Sequence, residues 1–250
     1  MSFPGAAVLI ILCTGSLLAQ ATGIPGSRPG PYDTDLQTVS KFIPEDFVPD
    51  GNLEKKTWRR ASWVKFDRDA FSPAVYPQAE TEVASLWTPT NVYFAFRCRY
   101  TTLNLFEGKD ATQDFWTLWD RDVVEVFFNP QPERLNHYFE FEVAPNNLWI
   151  DLEIDLDKNP FNDAHWDSHF EHITRINAQN HSWTCEMRIP VSVLGVTSPI
   201  AADSAWRINY YRADGPGADS VRRFLSWSPV HNQKHTFHTP ASFGLIRFAK

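Results

Sequence analysis

The stretch His137-Tyr138-Phe139-Glu140-Phe141-Glu142-Val143-Ala144-Pro145-Asn146-Asn147-Leu148-Trp149-Ile150-Asp151-Leu152-Glu153-Ile154-Asp155-Leu156 alternates apolar and polar side chains on both sides of a turn-forming tetrapeptide. Successive residues of a strand point to opposite faces, so alternation with period two reads as a strand, and two such runs about Pro-Asn-Asn read as a β-hairpin. With Ala144–Asn147 as the loop, Phe139, Phe141 and Val143 share one face with Leu148, Ile150, Leu152 and Ile154. The other face then carries Tyr138, Glu140 and Glu142 beside Trp149, Asp151, Glu153 and Asp155. Like charges placed opposite each other repel. Two readings accommodate that: a solvated outer face, or a divalent cation with oxygen ligands, Ca²⁺ above all, near Glu140, Glu142, Asp151 and Glu153.

The same period recurs through the chain. Strands are expected at Glu82–Trp87, Asn91–Tyr100, Asp122–Asn129, His137–Val143, Leu148–Leu156, His172–Asn177, Trp183–Ile189, Trp206–Ala213, Phe224–Trp227 and Gly244–Phe248, with short helix-like pieces near Pro190–Leu194 and Pro130–Leu135. Helical periodicity is rare, so the class is all-β. The apolar run from Ala6 to Ala19, closed by Ala19-Gln20-Ala21, reads as a signal peptide over residues 1–21, and Pro25, Gly26, Pro29, Gly30 and Pro31 mark residues 22–35 as a flexible leader. Residues 36–250 then form one domain of about 215 residues, the size of a sandwich or barrel. The expected destination is secreted or periplasmic, with no membrane span after signal cleavage, since a span takes about 20 apolar residues. A net charge of −7 without a Lys/Arg cluster argues against nucleic acid as partner. Cys98 and Cys185 fall on the apolar sides of their strands, where they either bridge across the core or remain buried thiols.

One segment pairs aromatic rings with carboxylates: Trp119-Asp120-Arg121-Asp122-Val123-Val124-Glu125-Val126-Phe127-Phe128-Asn129-Pro130. A pyranose offers an apolar C–H face and a rim of hydroxyls, so its binder needs a flat ring next to hydrogen-bond acceptors. Trp119 lies in an aromatic, acidic loop. Glu125 shares a strand face with Val123 and Phe127, opposite Val124, Val126 and Phe128, and is either exposed or aimed into a concave site. His165, His169 and His172, and His231, His235 and His238, lack the paired spacing of a transition-metal site and read as surface-loop histidines. No G-x-S-x-G, cysteine-histidine signature or phosphate loop occurs, and nothing singles out a glycosidase pair among the many carboxylates.

The ordered succession of Asp50-Gly51-Asn52-Leu53-Glu54 and Trp58, Val83–Trp87, Asn91–Phe96, Trp119–Pro130, Trp183–Pro190, Trp206–Arg212, Trp227-Ser228-Pro229 and Phe243–Phe248 resembles the family 9 carbohydrate-binding modules, relatives of the DOMON domains. The resemblance implies a two-sheet antiparallel β-sandwich, jelly-roll-like, that binds ends of xylan- or cellulose-type polysaccharides without cleaving them. It also implies frequent structural calcium and frequent attachment to, or action beside, a glycoside hydrolase in polysaccharide breakdown. By the same resemblance Trp119 and Phe237 clamp a terminal sugar and Glu125 contacts its hydroxyls. Asn209, Arg212 and Trp149 are added as polar or aromatic residues near that site. Phe237 stands where a tryptophan is usual and Glu142 where a basic residue is usual, which implies a different ligand. Two alternatives accompany this reading: hydrolase activity on O-glycosyl bonds, and a haem-binding, electron-transferring DOMON domain. Met187, in phase with Trp183, Cys185 and Ile189, reads as core rather than as an axial ligand.

Overall fold

The computed structural model describes residues 34–109, 111–163, 165–215, 217, 221–230 and 234–250; the expected signal peptide and nearly all of the leader lie outside them. Thirteen strands form among the described residues. They are β1 (Gln37–Phe42), β2 (Ser62–Phe66), β3 (Thr81–Trp87), β4 (Asn91–Arg99), β5 (Val123–Asn129), β6 (His137–Val143) and β7 (Trp149–Asp155), then β8 (Asn162–Asp163), β9 (Glu171–Asn177), β10 (Ser182–Pro190), β11 (Ala205–Asp214), β12 (Arg223–Ser226) and β13 (Gly244–Ala249). All ten expected strands form, with ends displaced by a residue or two. β1, β2 and the two-residue β8 escaped the periodicity. In β1 the inward side chains are Thr38 and Ser40, both buried, and Ser40 Oγ meets Ser85 Oγ at 2.8 Å, so no apolar alternation marks the strand.

Hydrogen bonding runs continuously in the order β8-β7-β6-β5-β11-β13-β1-β3-β4-β10-β9, with β12 added to β11 and β2 to β3. The path curls over so that its two halves pack face to face as a β-sandwich. Most pairs are antiparallel, but β1 runs parallel to both β13 and β3. Between the halves lies a core of Val92, Phe94 and Phe96 from β4, Val124, Val126 and Phe128 from β5, Phe139 and Phe141 from β6, and Trp206, Ile208 and Tyr210 from β11. Phe94 meets Phe128 at 5.9 Å and Tyr210 at 6.0 Å, both edge to face, the arrangement that ring quadrupoles favour. Trp183, Cys185, Met187 and Ile189 of β10 are fully buried in this core, as their shared phase predicts. Cys98 and Cys185 are free thiols, and burial pushes that of Cys98 up to about 12.

The Asp50–Trp58 motif is a clasp on a buried carboxylate. Glu186 of β10 accepts from the N–H groups of Asp50 (2.8 Å) and Gly51 (2.9 Å), from Trp58 Nε1 (2.6 Å) and from Lys55 Nζ. Gly51 turns this loop at φ +72°, and a Cβ there would stand 2.8 Å from Arg175 Cγ, so glycine is favoured.

A second apolar cluster covers the opposite, concave surface of the β7-β6-β5-β11 half. Val123, Phe127, Tyr138, Ile150, Leu152, Tyr211 and Ala213 form its floor, and loops bring Ala70, Leu118, Val230 and Phe243 onto it. Here the hairpin differs from its expected pairing. Asn147 adopts the left-handed region (φ +67°), Asn147 N donates to Ala144 O and Ala144 N to Leu148 O, both at 2.9 Å. The loop is therefore three residues, Pro145–Asn147, a turn followed by a left-handed residue, and Val143 pairs with Trp149. One residue less in the loop shifts the register by one and exchanges the faces of β7 relative to β6. Glu140 and Glu142 consequently stand with Ile150 and Leu152, whereas Asp151 and Glu153 stand with Phe139 and Phe141.

Candidate functional site

The concave surface holds a cavity of about 770 Å³ whose lining includes Trp119, Glu125, Glu140, Glu142, Arg222 and Phe237. That volume is within the few hundred to a thousand Å³ usual for small-molecule sites. Trp119 sits on a 3₁₀ turn, Leu118–Asp120, which leads into β5. The turn is braced at both ends: Arg222 Nη2 donates to the carbonyls of Trp119 (2.6 Å) and Arg121 (2.8 Å), and the buried Asp122 carboxylate accepts from Asn104 N and Gly215 N. Burial, with Asp214 nearby, pushes Asp122 up to about 7. The Trp119 ring is half-buried and meets the exposed Trp116 edge-on at 5.1 Å. Phe237, from a segment more than a hundred residues later, lies flat on Tyr211 (4.2 Å, 12° between planes) and beside Phe71 (5.7 Å). Tyr211 Oη also donates to the Phe237 carbonyl, so ring and backbone of that wall are both held.

Three carboxylates form the floor between these walls. Glu125 of β5 pairs directly with Glu142 of β6, and Glu140 follows two residues along on the same face, opposite Phe127. An oxygen of each lies within 4.8 Å of the others, and the side chains are only 2%, 1% and 2% exposed for Glu125, Glu142 and Glu140. Desolvation raises Glu125 and Glu142 well above the ordinary carboxylate range; the charge of Glu140 adds to this for Glu125, and those of Glu125 and Glu140 for Glu142, while Arg222 partly offsets the effect on Glu125. Glu140 Oε2 and Glu142 Oε2 are buried without a hydrogen-bond partner. His238 stands at the rim, its Nδ1 2.8 Å from Tyr138 Oη and 3.9 Å from Glu140 Oε2.

Trp119, Glu125 and Phe237 thus come together as expected, while the three added residues do not join them. Arg212 points into the sandwich core, where Nη1 donates to Ala79 O and Thr81 Oγ1 and the guanidinium pairs with Asp214. Asn209 is fully buried, its amide spanning Ser228 through Nδ2 to the carbonyl (3.0 Å) and Oδ1 from the N–H (2.9 Å). Trp149 packs on His172 (4.8 Å) against the core side of β7. The carboxylates expected to hold calcium are divided in the same way. Glu140 and Glu142 face the cavity; Asp151 accepts from Ser168 N (2.7 Å) and Glu153 meets His137 Nε2 (2.6 Å) on the other side, so these four do not form one calcium site. Nor are Glu140 and Glu142 part of a solvated outer face.

Residues passed over in the sequence also line the site: Asp69, Phe71, Arg222, Phe224, His235 and His238. His235 stacks on Phe71 (5.1 Å) and is not a free surface-loop histidine. The adjacency of His238 to Phe237 was a usable signal. Phe71 and Arg222 had none, because their loops reach the cavity only through the tertiary fold.

A profile of the carbohydrate family 9 binding domain-like family matches residues 49–250. An extracellular protein of Arthroderma benhamiae is 23% identical over 196 residues, 74% of this chain and 85% of that one. Among solved structures, a protein from Bacteroides uniformis proposed to bind carbohydrate superposes with a TM-score of 0.69 at 18% identity, over 86% of this chain and 100% of that one. A family 9 carbohydrate-binding module from Caldicellulosiruptor kristjanssonii, in complexes with cellotriose and with glucose, matches at a TM-score of 0.60 and 15% identity, over 86% of this chain and 94% and 97% of those chains. At such identities the structural likeness concerns the fold.

Proposed function

The chain belongs to the carbohydrate family 9 binding domain-like family, and on that premise we propose that it is an exported, non-catalytic protein that grips a sugar end between Trp119 and Phe237 with Glu125 as hydroxyl acceptor. The observation that carries this reading is the single cavity joining those three side chains, drawn from a loop, a strand and a distant segment. Stacking a pyranose between two rings buries its C–H faces, and a carboxylate accepts its hydroxyl protons with charge-assisted strength. Xylan- or cellulose-type ends are the proposed targets, with a separate glycoside hydrolase working on the same material. The apolar amino-terminal run and the extracellular relative support export; among the described residues no helix is long and apolar enough to cross a membrane.

Binding is favoured over hydrolysis by the placement of the acids. A glycosidase sets its two carboxyl groups on either side of the scissile bond. The buried carboxylates of the cavity, Glu125, Glu140 and Glu142, lie together on one floor formed by two adjacent strands rather than opposite one another. The haem alternative finds Met187 enclosed in the sandwich core, away from the cavity. Calorimetric titration of the purified protein with cello- and xylo-oligosaccharides tests the proposal. Trp119→Ala should weaken binding by about 2 kcal/mol, roughly thirtyfold, as loss of a buried aromatic anchor does, with the melting transition retained. An unchanged affinity in that variant would refute the clamp.

A further inference from the structure

The cavity is charged in one direction. Its described lining holds five carboxylates, Asp69, Asp120, Glu125, Glu140 and Glu142, against one guanidinium, Arg222, which is already engaged with the carbonyls of Trp119 and Arg121. A neutral sugar asks for one or two acceptors, not for three buried carboxylates with oxygens within 4.8 Å of one another, two of which keep an oxygen without a hydrogen bond. Leaving such groups unpaired is costly, so the arrangement points to a cationic donor.

Geometry narrows the cation. An ammonium has three N–H donors in a tetrahedral spread; with charge-assisted bonds near 2.8 Å, its three acceptors sit about 4.6 Å apart. The floor oxygens meet that requirement, lying within 4.8 Å of one another. The fourth bond of the nitrogen leads away from the floor, into the space bounded by Trp119, Phe71, Phe224 and Phe237. A bare Ca²⁺ would instead want six to eight oxygens around it, whereas the side chains that close over the floor, Trp119, Phe71, Phe224 and Phe237, are aromatic. Aromatic faces also favour a nearby cation.

We infer that the site takes a sugar bearing a primary amine, its ammonium donating to Glu125, Glu140 and Glu142 while its ring lies between Trp119 and Phe237. The inference deepens the carbohydrate reading above and rests on it. The test is calorimetry on the full chain with a matched series: methyl glucoside, its 2-amino and 6-amino counterparts, and the N-acetylated form of each amine. One amine is expected to bind at least about tenfold tighter than the neutral glucoside, as a charge-assisted contact provides, and N-acetylation should abolish the gain. Glu142→Gln should remove the preference for the amine, with a cooperative melting transition no lower than that of the wild type showing that the fold is kept. Equal affinity for neutral and amino sugars overturns the inference and leaves the carbohydrate reading standing. A requirement for added Ca²⁺ or Mn²⁺, abolished by chelator, overturns it in favour of a metal. Failure of every sugar to bind overturns both readings.

Discussion

Replacing Glu142 by glutamine should stabilise the ligand-free protein at neutral pH. The side chain is buried beside Glu125 and Glu140, with oxygens within 4.8 Å. At an effective dielectric near 20, one ionised pair at that separation repels by about 3 kcal/mol. Burial and the two neighbouring acids accordingly raise Glu142 well above the usual range. The sign follows from proton uptake. A carboxyl raised on folding binds a proton in the native state that the unfolded chain releases above about pH 4.3, so wild-type stability falls as pH climbs from there through the raised native value. Glutamine mimics the protonated form at every pH, offers an N–H to the neighbouring carboxylates and escapes this loss. Thermal and urea denaturation at pH 4 and pH 7.5 measure the effect. The variant and wild type should be nearly equal at pH 4, and at pH 7.5 the variant should gain about 3 kcal/mol, a melting shift of roughly 6–12 °C for a chain of this size. A variant that is destabilised at pH 7.5, or whose effect does not change between the two pH values, would refute the mutual repulsion of the cluster. Coupled with loss of amine preference, the stabilisation would show a floor kept strained for binding.

Two further outcomes concern residues away from the cavity. Arg212→Leu removes a buried partner of Asp214 and one of the donors to the Ala79 carbonyl, so stability should fall by about 3 kcal/mol or more in urea denaturation, while the folded fraction binds sugar with unchanged affinity; a selective affinity loss would return Arg212 to the site. Gly51→Ala places a Cβ 2.8 Å from Arg175 Cγ at φ +72°, and should cost about 1–3 kcal/mol by the same measurement; a neutral result would show that the clasp on Glu186 is not fixed.

Period-two alternation was enough to locate ten strands and to place Glu125 on the face opposite Val124, Val126 and Phe128, because the face of a strand residue is set by parity along its own chain. The amino acid sequence likewise picked out Trp119 and Phe237 through their positions relative to motifs resembling a known family. Parity within one strand does not say how that strand pairs with the next. The left-handed conformation of Asn147 shortened one loop by a residue, and that alone moved Asp151 and Glu153 away from Glu140 and Glu142 and left Glu125, Glu140 and Glu142 as the cluster. Asn209 and Arg212 look like site residues in sequence, yet the Asn209 amide bonds Ser228 and the two terminal nitrogens of Arg212 are engaged by Ala79, Thr81 and Asp214. Local alternation therefore determined the strands and the faces within each. Register, and the closing of the cavity by Phe71, Arg222 and His238 from distant loops, were decided by tertiary contacts, since no short-range pattern encodes which remote side chains meet over a curled sheet.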